Sequence, residues 1–204
     1  MDSEMISLLK ENMSRMPYYE FMEWKTNVFN RLPRADGMIL TLHQALDAIE
    51  NGETDWEGLT DRVGRDDLPY IFESVETYLP ADTFIQALTD SWTGPDAPEA
   101  CLPQEEWIDF FRKAGFTRDG KPVDPPTEPV LLVRGGRYPD RMSWTATPSV
   151  AESFAKRSGG RLWATEAPPE AILAIINHQR EGEDEHVLDP KMVNWVEVDA
   201  EALN

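Results

Sequence analysis

The chain has 204 residues, 41% of them apolar, with seven Trp, eight Phe and five Tyr, which suits one large core or two small ones and excludes a disordered chain. Its 38 acidic and 19 basic residues leave a formal charge of −19, a field that repels nucleic-acid backbone and favours basic partners. A single cysteine, Cys101, excludes an internal disulfide framework and a cysteine-rich zinc site, and no apolar run approaches the roughly 18 residues that span a bilayer.

From the N-terminus to about residue 116 the apolar spacing is helical. The opening MDSEMISLLKEN is acidic before its apolar residues and does not read as a secretory signal, so the expected compartment is the cytoplasm. Phe21, Trp24, Val28 and Leu32 form a first stripe; Leu42, Leu46 and Ile49 form a second, stopped by Asn51-Gly52. Phe72, Val75 and Leu79 follow, then Phe84, Leu88 and Trp92 after Pro80, and Trp107, Phe110 and Phe111 after Pro103. Five to seven short helices around one core are expected, with Trp24, Trp56, Trp92 and Trp107 as core residues. Asp55, Glu57, Asp61, Asp66 and Asp67 lack the regular spacing of a calcium loop and read as an acidic face.

Residues 117–128 carry Pro122, Pro125 and Pro126 and read as a stiff extended crossing. Beyond it the period changes. Val130 to Val133 reads as a strand closed by Gly135-Gly136, Trp144-Thr145 as a second, and Ser149 to Arg157 as a helix with Val150, Ala151 and Phe154 inward. Arg161 to Ala167 reads as a strand with Leu162 and Ala164 on one face and Trp163 and Thr165 on the other. Pro169 is expected to start a short helix, PEAILAIIN, and Val187-Leu188 and Val193 to Val198 to supply further strands. The fold class is therefore α+β: a helical acidic part, 1–118, followed by a small mixed-sheet domain, 126–204. Residues 1–125 hold 25 acidic and 11 basic residues against 13 and 8 in 126–204, so most of the negative charge lies in the helical part. That excess is either a solvated face or a docking surface for a basic protein, such as one that handles nucleic acid.

The second part concentrates the chemistry. Arg134 ends PVLLVRGG, Ser143 and Thr145 lie in RMSWTATP, and Glu183 and Glu185 lie in REGEDEHVLDP. A cation, hydroxyls and paired carboxylates beside strands can hold a phosphate-bearing cofactor and stabilise a positive charge made next to it. There is no GxGxxG and no GxxxxGK[ST], and His43, His178 and His186 are too dispersed for a metal set. His186 paired with Ser143 lacks a nucleophile elbow.

This ordered set, from about Val130 to Val198, resembles the ADP-ribosyltransferases of the branch marked by an arginine, a serine-containing strand and a Glu-x-Glu turn. Arg134 stands in the arginine motif LLVRGG, Ser143-Trp144-Thr145 in the Ser-x-Ser/Thr place, and Glu183-Asp184-Glu185 in the acidic turn. Glu181 leaves the acidic assignment open by one step of two; Glu185 is preferred because His186-Val187-Leu188 follows it as a strand. The resemblance implies NAD as cofactor, held by Arg134, Gly135, Ser143, Trp144, Thr145, Phe154 and Glu185, with Arg134 on the pyrophosphate and Trp144 or Phe154 stacking on nicotinamide or serving as core. It implies that Glu185 stabilises the ribosyl cation, that Ser143 orients Glu185, and that Glu183 steers the acceptor, a pattern used when the acceptor is arginine. The expected activity is mono-ADP-ribosylation of a target protein, as a toxin, a phage effector or an inhibitor of a bacterial defence complex, with no nucleic acid or membrane as direct partner. The helical part is expected to choose the target and to be dispensable for the NAD site. The alternatives are a non-catalytic acidic binding protein and an NAD glycohydrolase.

Overall fold

The structure is a computed structural model and describes residues 41–60, 63–177 and 184–199. The stripe at Phe21 to Leu32, Asp61, His178, Glu181 and Glu183 lie outside these residues. The helices are α1 (Leu42–Glu50), α2 (Trp56–Thr60), α3 (Leu68–Val75), α4 (Ala81–Thr93), α5 (Gln104–Ala114) and α6 (Pro148–Ser158). Thr41 caps α1 with a reciprocal pair of bonds to Gln44, Thr41 N donating to Gln44 Oε1 and Gln44 N to Thr41 Oγ1. Pro80 and Pro103 precede α4 and α5, where a missing N–H costs nothing. The apolar stripes read from the sequence are buried as expected: Phe72, Val75, Phe84, Leu88, Trp92, Trp107 and Phe111 lie in one core, with Leu79 and Phe110 packed against it.

The strands are β1 (Thr117–Arg118), β2 (Lys121–Pro122), β3 (Val130–Gly136), β4 (Ser143–Thr145), β5 (Arg161–Ala167), β6 (Ile172–Asn177), β7 (Asp184–Leu188) and β8 (Val196–Val198). They form one sheet in the order β2-β1-β6-β7-β4-β3-β5-β8, antiparallel except for the parallel pair β1 and β6. The mixed sheet after a helical part is the expected α+β arrangement.

Two elements differ from the sequence reading. The segment taken for an extended crossing forms the β1–β2 hairpin, turned by Asp119 and Gly120 at φ 52° and 69°. Asp-Gly is the pair that a two-residue turn with positive φ at both positions favours, and the prolines around it do not prevent the hairpin. Asp119 then ties the hairpin to β6, accepting from Asn177 N at 2.6 Å and Asn177 Nδ2 at 3.0 Å. The second difference is PEAILAIIN. Only Pro169–Ala171 turns as a 3-10 helix; Ile172–Asn177 is strand β6, buried on both faces. A short, continuous apolar run fits a doubly covered strand as well as a helix, and the isoleucines favour the strand.

The two faces have different covers. On one, Met142, Leu173, Ala174, Ile176 and Val187 join the helical core, while α6 lies over Val133 and Ala164 through Ala151. On the other, Leu132, Trp144, Ile175 and Leu188 pack with Val193, Trp163 and Trp195. The helical part and the sheet thus share one apolar core.

Candidate active site

The three motif strands, far apart in sequence, are consecutive neighbours in the sheet: β3 with Arg134, β4 with Ser143 and Thr145, and β7 with Glu185. Thr145 stands directly opposite Glu185 on β7 and opposite Val133 on β3; Ser143 stands opposite Val187. Strand alternation therefore puts Ser143, Thr145 and Glu185 on one face, the face that the helices cover. Glu185 is half-buried there, and Thr145 is buried. Thr145 Oγ1 accepts from Thr147 N at 3.1 Å, which leaves its own hydrogen to donate.

Arg134 alternates to the other side of β3, opposite Trp163 on β5. Its guanidinium runs along the β3–β4 connection, where Nε donates to Tyr138 O at 3.0 Å and Nη1 donates to Ser143 O. Burial pulls its pKa below the ordinary value; Glu99 opposes this, Arg141 adds to it, and Glu185 and Asp140 oppose it more weakly. Arginine stays charged under such pulls, so Arg134 is a half-buried cation whose charge is felt at Glu185. Two of its five donors go to backbone, and among the described residues Nη2 is left for an anion.

The connection that carries Ser143 is held from both sides. Trp144 Nε1 donates to Arg141 O at 2.8 Å. From the helical part, Gln104 Nε2 donates to Asp140 O at 2.8 Å, and Glu99 Oε2 accepts from Met142 N at 3.2 Å. Trp144 is thereby committed to the core and offers no ring face to nicotinamide; its candidate stacking role is corrected by its burial. Phe154 differs in the opposite sense. Expected on the inner side of its helix, it is 44% exposed, with the Arg157 guanidinium seated over its ring at 4.3 Å from the centre. Gly135 faces α6, where a Cβ would stand 1.8 Å from Ala151 O, so helix packing accounts for the glycine.

Two contributors escaped the sequence reading, Glu99 and Trp92. Trp92 Nε1 donates to Glu185 Oε1 at 3.0 Å across 93 residues of chain. A buried indole N–H needs an acceptor, which is a signal legible in sequence, but the acceptor's identity is not. His186, next to Glu185, is buried between Trp144 and Ile175 in the sheet register, and burial pulls its pKa below the ordinary value against the opposing charge of Asp184. Strand alternation turns His186 to the face opposite Ser143.

Segment 134–161 holds six of the chain's 19 basic residues and two acidic ones, a locally positive stretch in a chain of −19. Among the described residues no helix is long and apolar enough to cross a membrane. Neither protein-family models, nor curated proteins, nor solved structures give a match to this chain.

Proposed function

We propose that this protein is an NAD-dependent mono-ADP-ribosyltransferase that modifies a protein side chain, with arginine the favoured acceptor. The observation that carries the reading is the adjacency of β3, β4 and β7, which gathers the arginine, hydroxyl and carboxylate motifs at mid-sheet with Thr145 in register with Glu185. NAD is the substrate here. Its pyrophosphate suits the positive stretch 134–161, with Arg134 Nη2 and the arginines of the β3–β4 connection as anion donors. As the nicotinamide–ribose bond breaks, the electron pair leaves with nicotinamide and the ribose becomes cationic. Glu185, accepting from the ribose 2′-OH, stabilises that charge. Glu183, outside the described residues, is the proposed proton-steering group for the acceptor. The site of action is the cytoplasm of the host or target cell, and the target a basic, nucleic-acid-handling protein or complex, in keeping with the acidic helical part.

A second reading has its own observation. The Arg134 fork is occupied by two backbone carbonyls and Glu185 accepts from Trp92, which are jobs a non-catalytic scaffold would also give them. Incubation with labelled NAD, first alone and then in lysate, separates the possibilities. Labelled protein bands are expected; released nicotinamide without labelling indicates a glycohydrolase, and neither product leaves the acidic binding protein.

A further inference from the structure

Helix α4 meets the Glu185 carboxylate, on a central strand of the sheet, through Trp92. Trp92 is 2% exposed and lies in the last turn of α4. Its ring stands edge-on to Trp107 at 5.2 Å and to Phe111 at 5.3 Å, both on α5. Between those rings its indole has one orientation, and in it Nε1–H meets Glu185 Oε1 at 3.0 Å. The same aromatic cluster supports the loop before Ser143: Trp107 Nε1 donates to Pro98 O at 3.1 Å, and the next residue, Glu99, accepts from Met142 N.

We propose that Trp92 is a positioning residue for Glu185, so that the helical segment is a working part of the active site and not only a target-recognition module. This rests on the reading of Glu185 as the catalytic carboxylate. A glutamate has three rotatable bonds, and a carboxylate on a half-buried strand will accept from several directions. A donor held on Oε1 by buried rings sets the plane of the carboxylate. Trp92 acts through Glu185 and touches no substrate itself, so removing its N–H is expected to lower turnover without altering the binding of NAD.

The test uses the full chain. Trp92→Phe keeps an aromatic ring in the cluster, and replacement of Trp92 by its benzothiophene isostere removes the N–H at constant shape. In both, kcat for nicotinamide release is expected to fall about tenfold or more, the scale of a hydrogen bond to a charged group, with KM for NAD within about twofold. Independently of catalysis, the Trp92 indole N–H proton resonance is expected to move upfield in Glu185→Gln, where the acceptor has lost its charge. A kcat unchanged in the isostere, or an indole resonance that does not move, overturns the proposal. If the wild type releases no nicotinamide, the NAD reading falls and takes this role with it; release by the wild type with unaffected Trp92 variants removes this role alone.

Discussion

Arg134 braces its own loop, and the proposed function gives the same side chain a part in the chemistry. Its planar fork reaches Tyr138 O and Ser143 O, closing the loop that presents the serine motif. Lysine, with a compact ammonium, cannot span both carbonyls. Arg134→Lys is therefore expected to destabilise the fold by about 1–3 kcal/mol in urea unfolding, and to weaken NAD binding in a calorimetric titration. Unchanged stability together with an unchanged dissociation constant would mean that the fork neither braces the loop nor contacts NAD. The strand positions of Arg134, Ser143, Thr145 and Glu185 were legible because their motifs are local strings beside apolar runs. Trp92 and Glu99 were not, because each acts on a strand far along the chain and no local pattern names the partner. Trp144 falls on the core side of the two places open to it, while Phe154, expected inward, is exposed, since an aromatic residue beside a motif fits a core position and a stacking position equally.

At the scale of elements, the contact of α6 with β3 has no slack at Gly135, where a side chain would meet Ala151 O at 1.8 Å. Gly135→Ala is expected to cost at least about 3 kcal/mol in denaturant unfolding, because two backbones must separate. A loss under 1 kcal/mol, a bound taken from ordinary surface substitutions, would show that α6 shifts freely. A second prediction concerns α3 and α5, where Glu73 lies beside Glu106. Burial, then the charge of Glu106 and the hydrogen bond between them, push the Glu73 pKa above its ordinary 4.5. The folded state therefore holds this proton more tightly than the unfolded one. That contribution is complete below pH 4.5 and is lost as pH rises through the raised folded value. Glu73→Gln, neutral at every pH, should stabilise the protein at pH 7 by no more than about 0.5 kcal/mol, and by nothing at acid pH. Thermal melts at both pH values check the sign. The helices of 41–114 were readable because a 3.6-residue stripe is long and redundant. The β1–β2 hairpin and β6 were misread because two strand residues around Asp119-Gly120 carry no periodicity, and a buried apolar run of six has none to offer.

For the whole molecule, the sequence drew a boundary near residue 118, while the shared core crosses it: helical residues and Met142, Leu173, Ile176 and Val187 bury one another. A change of period marks where element type changes, but it carries no information about which faces are later covered by what. The charge asymmetry behaves differently. It follows from composition alone, with −14 in residues 1–125 and a positive stretch at 134–161, and long-range fields depend on such sums more than on geometry. The central claim is that the carboxylate on β7 drives cleavage of NAD beside the strands that carry Arg134 and Ser143. Its most direct test is steady-state nicotinamide release from NAD by the purified full chain, wild type against Glu185→Gln, with thermal melts confirming that both are folded. The account predicts release by the wild type and a fall of about 100-fold or more in the variant, the usual loss when a group that stabilises developing charge is removed. Release within threefold of wild type, a difference of only about 0.7 kcal/mol in transition-state stabilisation, would contradict it.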